Sequence, residues 1–230
     1  MFDFFKRRFR KKPENLPAFW EDYLALFEKS LQKKDSFRSL RFVVFDTETT
    51  GLNIKKDRIC QIGALGIQDN TVRLQDFFDT LVHQQSGGIS KVKEVHGLRD
   101  ETIQTGMDER QALIKFVEYL GNSVIVAHHA LFDIGMINQS LKRHFGKAFK
   151  LKNKYLDTAL LEKRLRQPGA YAVEHPLDLS LDALAAQYGI ALHDRHTAIG
   201  DAFITAQLFM KIVVRLEKRG VKSIGNLLDK

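Results

Sequence analysis

Two segments of the chain carry side chains that could share one chemistry. The first, Phe45-Asp46-Thr47-Glu48-Thr49-Thr50-Gly51, runs out of an apolar stretch. The second, His196-Thr197-Ala198-Ile199-Gly200-Asp201, lies far down the chain. In an extended strand alternate side chains point the same way, so Asp46 and Glu48 project from one face and Thr47 from the other. Acids grouped in this way repel one another unless cations sit between them, and divalent metals are the natural counter-charge. Each piece read alone also has a plainer account. Asp, Thr and Gly are common in a solvated turn at a strand end. Asp201 falls in the first turn of a helix, where an acid complements the helix dipole. His196 could be an ordinary surface histidine. A further acid, Asp133, stands in Val126-Ala127-His128-His129-Ala130-Leu131-Phe132-Asp133, where an apolar strand leads into a polar pair and a helix start. There too the dipole account applies, worth roughly 0.3–1 kcal/mol. What favours a site is that all these segments occur together and in order.

These side chains need a scaffold, and the sequence after about Leu40 supplies an alternation of strands and helices. Arg41–Asp46 reads as a short buried strand whose last residue is the first acid, which puts Asp46 and Glu48 at a strand end, where ligands sit in α/β sheets. Thr49-Thr50-Gly51 follows as a turn, its hydroxyls and backbone N–H groups available to a nucleotide. Ile59–Ile67 and Thr71–Val82 read as two more strands joined by a turn at Asp69-Asn70. Asp108–Leu120 is helical, Ser123–Ala127 a short strand, Leu131–Arg143 a helix. Tyr155–Leu165 begins as a strand and continues as a helix. Ser180–Tyr188 is a helix stopped by Gly189, and Ala202–Lys218 a long amphipathic helix stopped by Gly220. Gln167–Pro176 reads as a loop. A three-strand meander followed by helix–strand alternation predicts a mixed sheet with helices on both faces.

Residues 1–39 differ in texture. Met1–Lys12 holds six Lys/Arg, one Asp and four Phe. Phe2, Phe5 and Phe9 would share a face if that segment were helical, and a basic aromatic arm of this kind suits nucleic acid or an anionic surface. A solvated tail is the alternative. Phe19, Trp20, Tyr23, Leu24, Phe27 and Leu31 then recur at helical spacing, which predicts a helix from about Ala18 to Gln32. Its apolar stripe either packs on the main domain or docks a protein partner. The chain thus divides into a basic, aromatic-rich extension (1–39), a main domain (40–215) and a C-terminal tail (216–230).

Composition narrows the class. The 230 residues are 44% hydrophobic, enough for a sizeable core. A single cysteine, Cys60, excludes an internal disulfide framework and a Cys-rich zinc site. A reducing compartment fits best, and the expected location is cytoplasmic. There is no run of about 18 apolar residues to span a membrane. A net charge of +8 attracts polyanions, of which phosphate backbones are the commonest.

With these motifs in place, the sequence resembles the DEDD superfamily of 3′–5′ exonucleases, in the branch whose last motif carries a histidine. This is the family of the proofreading epsilon subunit of bacterial DNA polymerase III. The resemblance rests on Phe45–Leu52, on Ala127–Gly135 and on His196–Ala202. Ile62-Gly63-Ala64, Val95-His96-Gly97-Leu98, Asp157-Thr158 and Leu181-Asp182-Ala183-Leu184 match as well. It covers about residues 40–215. One departure is His129, where the family usually has Asn; helix-start geometry or substrate positioning is what this could alter.

The resemblance implies an α/β fold, a ribonuclease H-like mixed β-sheet with helices on both faces, here with an N-terminal helical extension. It implies that Asp46, Glu48, Asp133 and Asp201 hold two divalent cations, Mg²⁺ or Mn²⁺, and that His196 is the general base for the attacking water. Imidazole suits that task because it changes charge near neutral pH. Thr49, Thr50 and Leu52 are then the contacts to the terminal nucleotide, with Leu52 wedged on the last base or sugar. Phe132 is expected in the core, His96 and Asp157 in supporting positions. The implied activity is hydrolysis at DNA 3′ ends to nucleoside 5′-monophosphates, in proofreading or repair. RNA 3′ ends are the alternative substrate, and a non-catalytic polymerase-associated module is a more remote one. The family's replicative proofreader binds its polymerase through a C-terminal extension. Little sequence follows the last long helix here, so the expectation is a stand-alone or differently partnered enzyme.

Overall fold

The computed structural model describes residues 16–29, 31–84, 106–166 and 178–229. The expectations placed on residues 1–12, on Val95-His96-Gly97-Leu98 and on the loop 167–176 lie outside the described residues.

The described residues form one five-stranded mixed sheet. Strands β1 (Phe42–Thr49), β2 (Ile59–Gln68) and β3 (Thr71–Leu81) form an antiparallel meander. The β2–β3 hairpin turns at Asp69-Asn70, both at positive φ (51° and 56°), the conformation that a tight two-residue hairpin requires and that Asp and Asn tolerate. On the other side of β1 lie β4 (Val124–Ala127) and then β5 (Tyr155–Asp157), both parallel to it. The strand order is therefore β3-β2-β1-β4-β5.

Alternation along β1 divides the core. Val43 and Phe45 enter one cluster with Trp20 and Tyr23 of α1 (Ala18–Ala25). Leu113, Phe116 and Leu120 of α2 (Glu109–Leu120), and Met136 and Ile137 of α3 (Ala130–Phe145), complete that face. Phe42 and Val44 enter the other cluster, beneath α4 (Thr158–Arg166), α5 (Leu181–Tyr188) and the long α6 (Ala198–Lys218). Helices therefore cover both faces, as the sequence pattern predicts.

Two elements differ from expectation. The first helix stops at Ala25 instead of Gln32. Its stripe explains why: Phe19, Leu24 and Phe27 pack on the α2–α3 face, whereas Leu31 packs on the α6 face. A straight helix cannot serve both faces, so the chain turns, and the Asp35 carboxylate accepts the Gln32 N–H at 2.9 Å within that turn. Trp20 packs against Phe149 in a tilted ring pair with centroids 4.9 Å apart, and the Tyr23 hydroxyl donates to Asn153 Oδ1 at 2.6 Å. The stripe is thus consumed by packing on the domain.

The second difference is at the C-terminal side. Residues expected as a tail carry the end of α6 and a short α7 (Ile224–Leu228). Ile224 and Leu227 are buried beside Phe37, and the Ile224 N–H donates to Asp35 O at 2.9 Å. Among the described residues no helix is long and apolar enough to cross a membrane.

Candidate active site

Strand β1 outruns its parallel neighbour. It pairs with β4 only over Phe42–Val44, but with β2 through Asp46, Thr47 and Glu48. The apolar run ends at Asp46 while the strand continues to Thr49, which corrects the expectation of a strand closing at Asp46. After Val44 the strand has no partner in β4, which leaves the acids at the strand end, where ligands sit in α/β sheets. Asp46 and Glu48 share the face of Val44, toward α6.

The N-terminus of α6 is set against that face by a close approach to β2. Gly63 lies opposite Asp46 in the β1–β2 register. A Cβ there would fall 2.2 Å from the backbone nitrogen of Ile199, so only glycine admits the helix this close. Gln61, opposite Glu48 and buried, ties the helix down. Its Oε1 accepts the Ala198 N–H at 3.2 Å and its Nε2 donates to Asp79 Oδ1 at 2.8 Å. Thr197 caps the helix by accepting the Gly200 N–H, which starts it four residues before the expected Ala202. Asp201 in the first turn then meets the strand. Oxygens of Asp46, Glu48 and Asp201 lie within 4.8 Å of one another.

Asp133 reaches the same place from the other face. Its Oδ1 accepts both the Thr47 N–H (3.0 Å) and the Thr47 hydroxyl (2.6 Å). It is not one of the three acids that converge, yet among the neighbouring charges it acts most strongly on Asp46. Burial pushes the Asp133 carboxyl up to about 7, against the pull of the two Thr47 bonds. Asp157 fixes the start of its helix. This carboxylate accepts the N–H of His129 (3.3 Å) and Ala130 (3.0 Å) at the start of α3, and of Ala159 (3.0 Å) in α4. One side chain thus serves two helix N-termini, which gives Asp157 a structural role. His129 is left-handed at φ 57°, a conformation that Asn and His both tolerate better than most residues. Histidine at this position is therefore compatible with the left-handed helix start seen here. His128 Nδ1 contacts Thr158 Oγ1 at 2.8 Å. Burial, and then the charge of His129, pushes its imidazole down to about 4, so it is neutral at pH 7. Phe132 packs on the core, as expected.

His196 is exposed at the edge of the cluster, in left-handed conformation (φ 65°). Its backbone N–H points to Asp201 Oδ1 at 3.4 Å. Thr49 Oγ1 donates to Gly51 O (2.8 Å), and Thr50 Oγ1 donates to Asp57 Oδ1 while accepting the Arg58 N–H. The hydroxyls expected to be available to a nucleotide are thus engaged in holding the 49–58 loop. Leu52 projects from that loop, 85% exposed.

Sequence reasoning missed Arg195. Its Nε bonds Asp182 Oδ1 at 2.6 Å, and its Nη1 contacts Asp201 Oδ2. The signal was there, a basic residue adjoining the His196 motif, but nothing local says that it folds back onto the acids. The electrostatics show why a cation belongs here. Burial, then the charges of Asp133, Glu48 and Asp201, push Asp46 well above the usual carboxylate range, and Arg195 opposes them. Burial raises Asp201 too, again against Arg195. Three converging carboxylates with more negative charge than one guanidinium offsets are a fitting donor set for a hard divalent cation such as Mg²⁺ or Mn²⁺.

The model of the RNase T family, described as exonuclease, matches residues 43–209. A DNA polymerase III PolC-type protein of Thermotoga petrophila is 31% identical over 199 residues, 86% of this chain but 14% of the relative's own length. A DNA polymerase III subunit epsilon-like protein of Rhodobacter capsulatus is 36% identical over 207 residues, 89% of this chain and 27% of that protein. The chain therefore spans a minor part of these relatives. The structure of E. coli Exonuclease I in complex with a dT13 oligonucleotide shares the fold, with a TM-score of 0.61 at 16% identity, covering 79% of this chain and 43% of that one.

Proposed function

This chain belongs to the RNase T exonuclease family, and on that premise we propose that it is a metal-dependent 3′–5′ exonuclease acting on DNA ends. The observation that carries the reading is the convergence of Asp46, Glu48 and Asp201 from β1 and α6. With Asp133 beside them, these acids would hold one or two Mg²⁺ or Mn²⁺ ions. Bound there, such ions lower the pKa of a water and neutralise charge on the phosphodiester and its leaving oxygen.

The chain's own residues do the rest. Gly63 and Gln61 fix α6 against the sheet, so that Asp201 faces Asp46 and Glu48. Thr47 and Asp157 fix Asp133 from the other side. His196, exposed at the mouth and next to Asp201, takes the proton from the attacking water at its imidazole. Leu52 meets the terminal base or sugar from the loop that Thr49 and Thr50 brace. The products are nucleoside 5′-monophosphates released one at a time. DNA is favoured over RNA because the relatives' names concern DNA polymerases and because the E. coli structure holds a deoxyoligonucleotide.

The test is a digestion panel of 5′-labelled single-stranded, 3′-recessed and mismatched DNA with matched RNA, run with Mg²⁺, Mn²⁺ or chelator. The expected result is stepwise shortening of DNA that stops in chelator and in Asp46→Ala. His196→Ala should retain the metal requirement but lose roughly 10²–10⁴ in rate. Undiminished digestion by Asp46→Ala, or in chelator, refutes the proposal. Preferential shortening of the RNA would reassign the substrate.

A further inference from the structure

Both oxygens of Asp201 are already engaged by its own approach loop. Oδ1 faces the His196 N–H at 3.4 Å, and Oδ2 contacts Arg195 Nη1. The guanidinium has a second anchor, because its Nε bonds Asp182 Oδ1 in the first turn of α5 at 2.6 Å. The two acids differ in exposure. Asp182 is 53% exposed at its side chain and Asp201 8%, so the inner contact is the one poorly screened by water. Arg195 is flanked by Asp194 and His196, both left-handed (φ 51° and 65°). The arginine is thus held in a tight loop between an outer and an inner carboxylate.

We propose that Arg195 is the built-in counter-cation of the acid cluster: it occupies Asp201 in the metal-free protein and sets the site's metal affinity by competing for that oxygen, while Asp182 retains it when it is displaced. This rests on the metal-binding reading above. A divalent ion and a guanidinium cannot both use Asp201 Oδ2 fully, so each ion bound there displaces one charge-assisted contact. The Asp182 bond lets the side chain shift without leaving the loop. Arg195 is on this account a positioning residue that acts through Asp201.

A structural link between α5 and α6 would predict that losing Arg195 loosens the site and weakens metal binding. Competition predicts the opposite sign. The test is calorimetric titration of Mn²⁺ into the full chain without substrate, for the wild type, Arg195→Gln, Asp182→Asn and the double variant. Arg195→Gln should bind Mn²⁺ roughly tenfold more tightly, the scale of losing one charge-assisted contact. It should also lower the melting temperature of the metal-free protein. Asp182→Asn leaves Arg195 only Asp201 to pair with, so it should weaken Mn²⁺ binding several-fold, and this effect should vanish once Arg195 is glutamine. Arg195→Lys, which keeps the charge but lacks the fork, serves if the glutamine variant does not fold, and should bind between the two. Unchanged or weaker Mn²⁺ binding by the folded Arg195 variants overturns the proposal and leaves the metal reading intact, as does an Asp182→Asn effect of equal size in both backgrounds. A wild type that binds no Mn²⁺ overturns the metal reading, and this proposal with it.

Discussion

Replacing Gly63 with alanine puts a methyl group where the α6 N-terminus already lies. The added Cβ would meet Ile199 N at 2.2 Å, Ala198 C at 2.3 Å and Ala198 O at 2.6 Å. All three are backbone atoms of the first helical turn, so no side chain can swing aside. Relieving the shortest contact to 3.0 Å moves the helix start off the sheet by about 0.8 Å. The shift acts on Asp201, two residues beyond Ile199, and stretches the Gln61 bond to Ala198, already 3.2 Å long. Overpacking of this kind costs about 1–3 kcal/mol, and an error approaching 1 Å in a reacting group costs on the order of 10²-fold in rate. Gly63→Ala is therefore expected to fold, melt several degrees lower, bind Mn²⁺ more weakly and lose about two orders of magnitude in exonuclease rate. Chemical denaturation, Mn²⁺ titration and single-turnover digestion measure the three quantities on one preparation. A Gly63→Ala protein with wild-type stability and wild-type Mn²⁺ affinity would refute the reasoning that the close approach positions Asp201.

Three further outcomes follow from contacts around the site. Asp157→Ala removes the acceptor of N–H groups in the first turns of both α3 and α4, and should cost about 1–4 kcal/mol in urea unfolding, the scale of two lost caps; a cost below 1 kcal/mol would show that these ends are satisfied otherwise. Glu109 sits between Arg143 and His144 with its side chain 12% exposed. Burial alone would raise its carboxyl, but the bonds from His144, Ser140 and Arg143 overcome this and hold it below the ordinary value of 4.5. The folded protein thus binds that proton less tightly than the unfolded chain, so its stabilisation is present above about pH 4.5 and is lost as pH falls below it. Glu109→Gln should cost about 2 kcal/mol at pH 7, with the gap to wild type closing toward pH 3 in melting experiments; a gap independent of pH would contradict this. Leu52→Ala, at an 85% exposed position, should leave stability within about 0.5 kcal/mol while raising KM for oligonucleotide; unchanged KM would remove Leu52 from the substrate contact.

Much of the scaffold was legible locally. The hairpin at Asp69-Asn70 and the Gly189 stop, in left-handed conformation, appear where the sequence puts them, because turns and caps depend on the few residues that form them. The pairing of Asp46 with Glu48 on one face follows from strand periodicity in the same way. Where local reading failed, a remote partner decided. Strand β1 continues through three polar residues because β2 pairs with them. The first helix ends early because Phe27 and Leu31 pack on opposite faces of the sheet. The Thr50 hydroxyl looked available to substrate, but Asp57 and Arg58 hold it.

The sequence by itself determined the types of acid, their order along the chain and the elements that carry them. It also determined that their grouping would call for positive charge. Which acids converge was decided only by the tertiary structure. Glycine at position 63 lets α6 approach until Asp201 meets Asp46 and Glu48, while Thr47 holds Asp133 to one side. The role of Arg195 was likewise invisible in the chain, since its two partners lie on different helices. Carboxylate repulsion depends on distances between segments far apart in sequence, and those distances exist only once the helices have packed onto the sheet.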